Sequence, residues 1–214
     1  DNHGSMTVDV FTALTATPSS IDEGQSTTIT GSFIDPGVLD EHTVTISWPD
    51  GDEVIALSVG ARVFTSAPHL FADDNPTATA IDVHSVNVTV DDNDGGLDDA
   101  DTTVTVNNVD PTVTATGDTI DENGIATLTV NVTDPGTSDT FTIAINWGEG
   151  TPVTTTPIQG DNTYTHQYLD DDPTATSSDT YAIAVTVTDD DLGVGVANTI
   201  VTVNNVDPTV TATG

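Results

Sequence analysis

Apolar and polar residues alternate with a period of two over most of the chain. In the second half Phe141, Ile143, Ile145 and Trp147 alternate with Thr142, Ala144 and Asn146, and Tyr181, Ile183, Val185 and Val187 alternate with Ala182, Ala184 and Thr186. The first half has Val44, Ile46 and Trp48, then His84, Val86, Val88 and Val90, in the same rhythm. Successive side chains of a strand point to opposite faces, so each run predicts a β-strand with one buried face. Val and Thr dominate the runs, and β-branched residues suit a half-buried pleated surface. No segment of helical length has a 3.6-residue period. In the second half the pattern predicts seven short strands, over 113–116, 126–133, 140–147, 153–156, 163–168, 180–188 and 196–204.

The rhythm belongs to a repeat. Val-Asn-Asn-Val-Asp-Pro-Thr stands at 106–112 and again, unchanged, at 203–209, a spacing of 97. Ile21-Asp22-Glu23 returns as Ile120-Asp121-Glu122, Asp35-Pro36-Gly37 as Asp134-Pro135-Gly136, and Trp48 as Trp147, each at a spacing of 99. Repeats of about 100 residues match one β-sandwich domain each. The division expected is 8–108 for the first repeat and 109–205 for the second. Residues 206–214 restate 109–117 and read as the start of a truncated third repeat in a longer array. Residues 1–7 have no hydrophobic pattern and read as a tag or cloning remnant.

Three ordered motifs connect the repeats to a known family. Trp147-Gly148-Glu149-Gly150-Thr151 is followed by His166-Gln167-Tyr168 and then by Val185-Thr186-Val187-Thr188-Asp189. The first repeat keeps the spacing with altered residues: Trp48-Pro49-Asp50-Gly51-Asp52, His69-Leu70-Phe71 and Val88-Thr89-Val90-Asp91. These resemble the PKD (polycystic kidney disease) domain, with its Trp-Asp-Phe-Gly-Asp-Gly-like turn, His-x-Tyr strand and Val-x-Val-x-Asp strand. The resemblance implies an all-β chain of two tandem seven-stranded immunoglobulin-like (PKD-type) β-sandwiches. Such modules are strung along bacterial and archaeal surface proteins or appended to secreted hydrolases, and the fold alone implies no single activity.

Thirty-five acids against one Arg, with no Lys, give a net charge of -34. That field repels phosphate backbones and anionic lipid, so nucleic acid and membrane surfaces are excluded as partners. No apolar run approaches the roughly 20 residues of a membrane helix, and no segment reads as a signal peptide. The absence of Cys removes disulfides, thiolate metal sites and thiol catalysis. No nucleophile elbow, zincin motif or phosphate-binding loop is present. Paired carboxylates abound, but acid-base work needs one of them desolvated beside a cleft. An enzyme is therefore not expected. Trp48 and Trp147 are expected to fill the cores, and His69, His166 and His84 to serve as structural residues.

Thirty of the acids are Asp, gathered at turns. Asx turns account for the isolated ones. The runs Asp91-Asp92-Asn93-Asp94, Asp170-Asp171-Asp172 and Asp189-Asp190-Asp191 need more, since like charges about 4 Å apart repel by about 1 kcal/mol even in water. In a seven-stranded sandwich lettered A to G, the A–B, C–D and E–F loops share the trailing end, and the B–C and F–G loops the leading end. The trailing end of the first repeat then carries Asp22, Glu23, Asp73 and Asp74 with the linker residues Asn107, Asn108 and Asp110. The leading end of the second carries Asp134, Asp139, Asp189, Asp190 and Asp191. This convergence resembles the calcium-holding junction of cadherins, without cadherin motifs. Ca²⁺ takes about 6–8 oxygen ligands, and these residues are the candidate set. Adaptation to concentrated brine explains the same acidity without a bound ion.

The expected function is a non-enzymatic, calcium-stabilised spacer or stalk repeat of a large extracellular adhesin or surface protein, monomeric, with neighbouring repeats of its own chain as partners and no membrane insertion. The alternative is an accessory module of a secreted multidomain hydrolase that binds polysaccharide or a surface protein. Phe11, Phe64 and Tyr164 are its candidate contact residues, although aromatics are only 5% of the chain and a sugar-binding face needs them exposed.

Overall fold

Every regular element among the described residues is a β-strand. The computed structural model describes residues 9–172 and 174–212, and the chain divides into two units between Asn108 and Val109. The expected remnant at 1–7 lies outside the described residues.

The first unit comprises β1 (Asp9–Thr17), β2 (Ser20–Asp22), β3 (Ser26–Ile34), β4 (His42–Trp48), β5 (Gly51–Leu57), β6 (Val63–Thr65), β7 (His69–Leu70), β8 (Ile81–Asp91) and β9 (Leu97–Asn107). One sheet pairs β3 with β1, β6 and β7; the other runs β2-β9-β8-β4-β5. The second unit comprises β10 (Thr112–Thr116), β11 (Thr119–Asp121), β12 (Ile125–Thr133), β13 (Thr142–Asn146), β14 (Val153–Thr155), β15 (Gly160–Gln167), β16 (Ser178–Thr188) and β17 (Val194–Asn204). Its sheets are β10-β12-β15 and β11-β17-β16-β13-β14. In both units the order is that of an immunoglobulin-like sandwich.

The predicted count of seven strands is exceeded, because a further short strand follows the first one and joins the other sheet. In the second unit β10 pairs antiparallel with β12, while β11 pairs parallel with β17. The crossing falls at Gly117, where a Cβ would run into the Ile200 carbonyl, so the close approach requires glycine. In the first unit it falls at Pro18, which has no N–H to give a ladder. The first unit's counterpart of β15 is divided into β6 and β7, which both pair with β3. The fourth strand of the second unit, β14, pairs with β13 and forms the edge of the larger sheet.

The inward rows are those the alternation marks. Val44, Ile46, Val86, Val88 and Val90 are buried in the first unit, and Ile143, Ile145, Val185 and Val187 in the second. Each such side chain contributes about 1.5–3 kcal/mol on burial. Trp48 and Trp147 are buried. The His69 ring stacks on Trp48 at 4.1 Å, and the His166 ring lies on Trp147 at 5.1 Å. His69 Nε2 stands 3.3 Å from an Asp50 carboxylate oxygen, and His166 Nε2 stands 3.0 Å from Glu149. Burial lowers the His69 pKa despite the opposing charges of Asp50 and Glu53. His84 is half-buried against Phe71, its ring 5.0 Å away.

All three tyrosines belong to the second unit. Tyr168 is wholly buried and its hydroxyl donates to the Trp147 carbonyl at 2.7 Å. Burial raises the pKa of Tyr168, with smaller contributions from Glu149 and Tyr181, and burial also raises those of Tyr164 and Tyr181. A raised folded-state pKa contributes stability that is complete below the unfolded value, about 10, and is lost as pH rises through the folded value. Phenolate absorbance in an alkaline titration should therefore stay low past pH about 10 and then rise together with loss of the β-sheet circular dichroism. A gradual titration centred on the ordinary value, with the fold intact, would contradict the packing of these three rings.

Candidate metal centre

The leading end of the second unit gathers acids from the β12–β13 and β16–β17 loops. Asp189 is buried, and its Oδ1 accepts the amides of Asp191 (3.0 Å) and Gly193 (2.7 Å), closing the turn between β16 and β17. Asp190 Oδ1 accepts the Thr140 amide at 2.7 Å, tying the two loops together. One carboxylate oxygen from each of Asp134, Asp139 and Asp189 lies within 4.8 Å of the others, and Asp139, Asp190 and Asp191 meet the same limit. Asp110, on the strand-side of the linker, accepts the Val194 amide at 3.1 Å. Five of the predicted acids are thus brought together by loops that the topology places at one end.

The corresponding corner of the first unit contains a cation of its own. Asp35 and Asp92 occupy the positions of Asp134 and Asp189, at spacings of 99 and 97. The Arg62 guanidinium, the only Lys or Arg side chain in the protein, donates to Asp35 Oδ2 at 2.9 Å and also to the Gly37 carbonyl. His42 Nε2 lies 3.1 Å from the same Asp35 oxygen, and Gly37 N–H donates to Asp35 Oδ1 at 3.1 Å. The Arg62 charge also stands 5.8 Å over the Phe33 ring. Burial alone would raise the Asp92 carboxyl, but the amides of Asp94, Gly96 and Gly95, with His42 nearby, together hold it below the ordinary range. Nothing in the alternation flagged this cluster. The lone Arg was the available signal.

At the trailing end of the first unit, Glu23 and Asp74 are buried, Asp73 is half-buried and Asp22 is exposed. The Glu23 amide donates to the Asn107 carbonyl at 2.9 Å, and Asn107 Nδ2 donates to the Ile21 carbonyl at 2.7 Å. Asn108 N–H donates to the Ala80 carbonyl at 3.1 Å, and Asp73 Oδ2 accepts Asn75 Nδ2 at 2.7 Å. Two further buried acids are structural. Asp82 accepts the amide and hydroxyl of Thr77, and Asp179 accepts those of Thr174, at 2.7–3.0 Å. At the trailing end of the second unit Glu122, outside the candidate set, converges with Asp170 and Asp171. Its signal was its place as the repeat counterpart of Glu23.

The aromatic residues considered for ligand contact are committed to the cores. Phe64 is buried, Phe11 packs edge-on against it at 6.4 Å, and Tyr164 packs on the core of the second unit. Phe64 is thus withdrawn from solvent, and Phe11 and Tyr164 are half-buried against the cores.

No family model matches the chain, and no curated protein matches it. Among solved structures it is similar to a tetra-tandem repeat in the extending region of a large adhesion protein, at 14% identity and a TM-score of 0.49, covering 88% of this chain and 48% of that one. A two-domain fibronectin type-III segment from chicken tenascin gives 13% identity and a TM-score of 0.42, covering 90% and 98%. A structure of a 1.5-MDa bacterial ice-binding adhesin gives 15% and 0.34, covering 94% and 67%. The chain thus spans about half the length of the adhesion-protein repeat segment.

Proposed function

We propose that this protein is a non-enzymatic, calcium-stabilised spacer made of PKD-type repeats from the stalk of a large extracellular adhesin or surface protein. The observation that carries the calcium reading is the contrast between equivalent corners. The first unit sets the Arg62 guanidinium against its leading-end Asp35, with His42 Nε2 at 3.1 Å from the same oxygen. The second unit converges Asp134, Asp139 and Asp189 to within 4.8 Å and has no Lys or Arg anywhere in its sequence. Two like charges about 4 Å apart repel by about 4 kcal/mol at an effective dielectric of 20, so an external cation is the consistent complement. Carboxylate oxygens without His or Cys suit a hard ion such as Ca²⁺. In this reading Asp22, Glu23, Asp73, Asp74, Asn107 and Asn108 of the first unit, and Asp110, Asp134, Asp139, Asp189, Asp190 and Asp191 of the second, supply oxygen ligands. The motifs at Trp147, His166 and Val185 support the PKD assignment, and tandem repeats with structural rather than catalytic histidines support a spacer.

Thermal melting tests it. At a hundredfold excess over Kd, an ion bound only to the native state adds about 2.7 kcal/mol, and each kcal/mol moves the midpoint of a domain of this size by about 4–8 °C. Melting in CaCl₂ at that excess should therefore exceed melting in ionic-strength-matched NaCl by about 10–20 °C, and Asp139→Asn should remove most of the gain. Equal midpoints in the two salts would leave brine adaptation as the account of the acidity. A saturable hit on a glycan array would replace the spacer reading with the accessory-module one.

A further inference from the structure

We infer that the trailing end of the second unit is itself a calcium site, built by Glu122, Asp170 and Asp171. The inference rests on the calcium reading above and extends it to a cluster that lies wholly within one unit.

The three side chains come from two loops that are fastened to each other. Glu122 follows β11; its amide donates to the Asn204 carbonyl at 2.8 Å and its Oε1 accepts the Val206 amide at 2.7 Å. Asp170 and Asp171 follow β15, where the Tyr168 amide donates to the Gly124 carbonyl at 3.2 Å. The Tyr181 hydroxyl, reaching across from β16, contacts the carbonyls of Asp170 (3.2 Å) and Asp172. One carboxylate oxygen from each of Glu122, Asp170 and Asp171 lies within 4.8 Å of the others.

A wet cluster of acids would require no ion, but Asp171 is not wet. Only 7% of it is exposed, and its Oδ2 is buried without a hydrogen-bond donor. Two other buried carboxylates, Asp82 and Asp179, are satisfied by the amides and hydroxyls of Thr77 and Thr174. The surroundings of Asp171 supply acceptors instead: Asp170 Oδ1 is taken up by the Asp171 amide at 2.9 Å, and Glu122 brings a further carboxylate. A cation is what turns three converging acceptors into a satisfied set. Three carboxylates leave several of the 6–8 positions of Ca²⁺ to water or main-chain oxygen, which predicts weak, extracellular-grade affinity of about 10⁻⁴–10⁻³ M.

Terbium titration of the whole chain, with tyrosine excitation and displacement by CaCl₂, tests this site. Tyr181 touches the ligand loop, and the first unit has no tyrosine to sensitise a bound ion. Loss of an outer-shell partner alone weakens metal sites by about 10- to 100-fold, so Asp171→Asn should weaken terbium binding by at least about tenfold. Glu122→Gln, which keeps an acceptor for the Val206 amide, should do the same with the fold preserved. Calcium-displaceable emission that is unchanged in both variants overturns the inference. If the calcium-specific melting gain nevertheless persists and is lost in Asp139→Asn, this site alone fails. If neither displaceable emission nor a melting gain exists, both readings fail.

Discussion

Arg62→Gln is expected to destabilise the first unit by about 3 kcal/mol, the low end of what breaking a buried ion pair costs. The low end applies because the Arg62 side chain keeps 20% of its surface exposed, whereas that of Asp35 keeps 5%. The variant leaves Asp35 with the Gly37 amide and His42 but without the guanidinium, and the Gly37 carbonyl loses a donor as well. Adding Asp35→Asn should recover more than half of the loss, since an amide costs less to bury than a carboxylate. Denaturant unfolding at constant m-value reads both effects. A loss below about 1 kcal/mol would rank the contact with surface ion pairs and remove Arg62 as the internal cation of that corner.

Trp147→Ala should cost the second unit about 3–5 kcal/mol, the usual range for deleting a buried aromatic. Trp147 is 2% exposed, lies against His166, and belongs to a core that also includes Tyr168 and Tyr181. Against a typical domain stability of about 5–15 kcal/mol, that is enough to populate the unfolded second unit. The chain has two Trp, so in this variant the remaining indole, Trp48, reports the first unit while the tyrosines report the second. Tyrosine-detected unfolding should move to lower denaturant and Trp48-detected unfolding should hold its place. A tyrosine-detected shift equivalent to less than about 1 kcal/mol would fall in the range of ordinary surface substitutions and mild core changes, and would contradict a central packing role.

Which residues face inward followed from local geometry. Side-chain direction alternates along any strand, so the rows through Ile143 and Val185 could be assigned without knowing their neighbours. Loop ends followed from strand parity: Asp134, Asp139 and Asp189 had to share an end once the strands were counted, and their convergence obeys that count. Parity survives the extra strands because β11 continues the direction of β10 on the other sheet, and β14 remains antiparallel to β13.

Pairing and desolvation were decided elsewhere. Whether the first strand stays on one sheet depends on Gly117 passing the backbone at Ile200, 83 residues away in the chain. The identity of Arg62 is local, but its partnership with Asp35 across 27 residues is a product of the folded corner. Asp170, Asp171 and Asp172 look alike in sequence, yet Asp171 alone is buried, because exposure is set by what packs over a loop. A carboxylate's cost and its need for a cation depend on the water it has lost and the donors around it, and both quantities come into being only when distant segments are assembled.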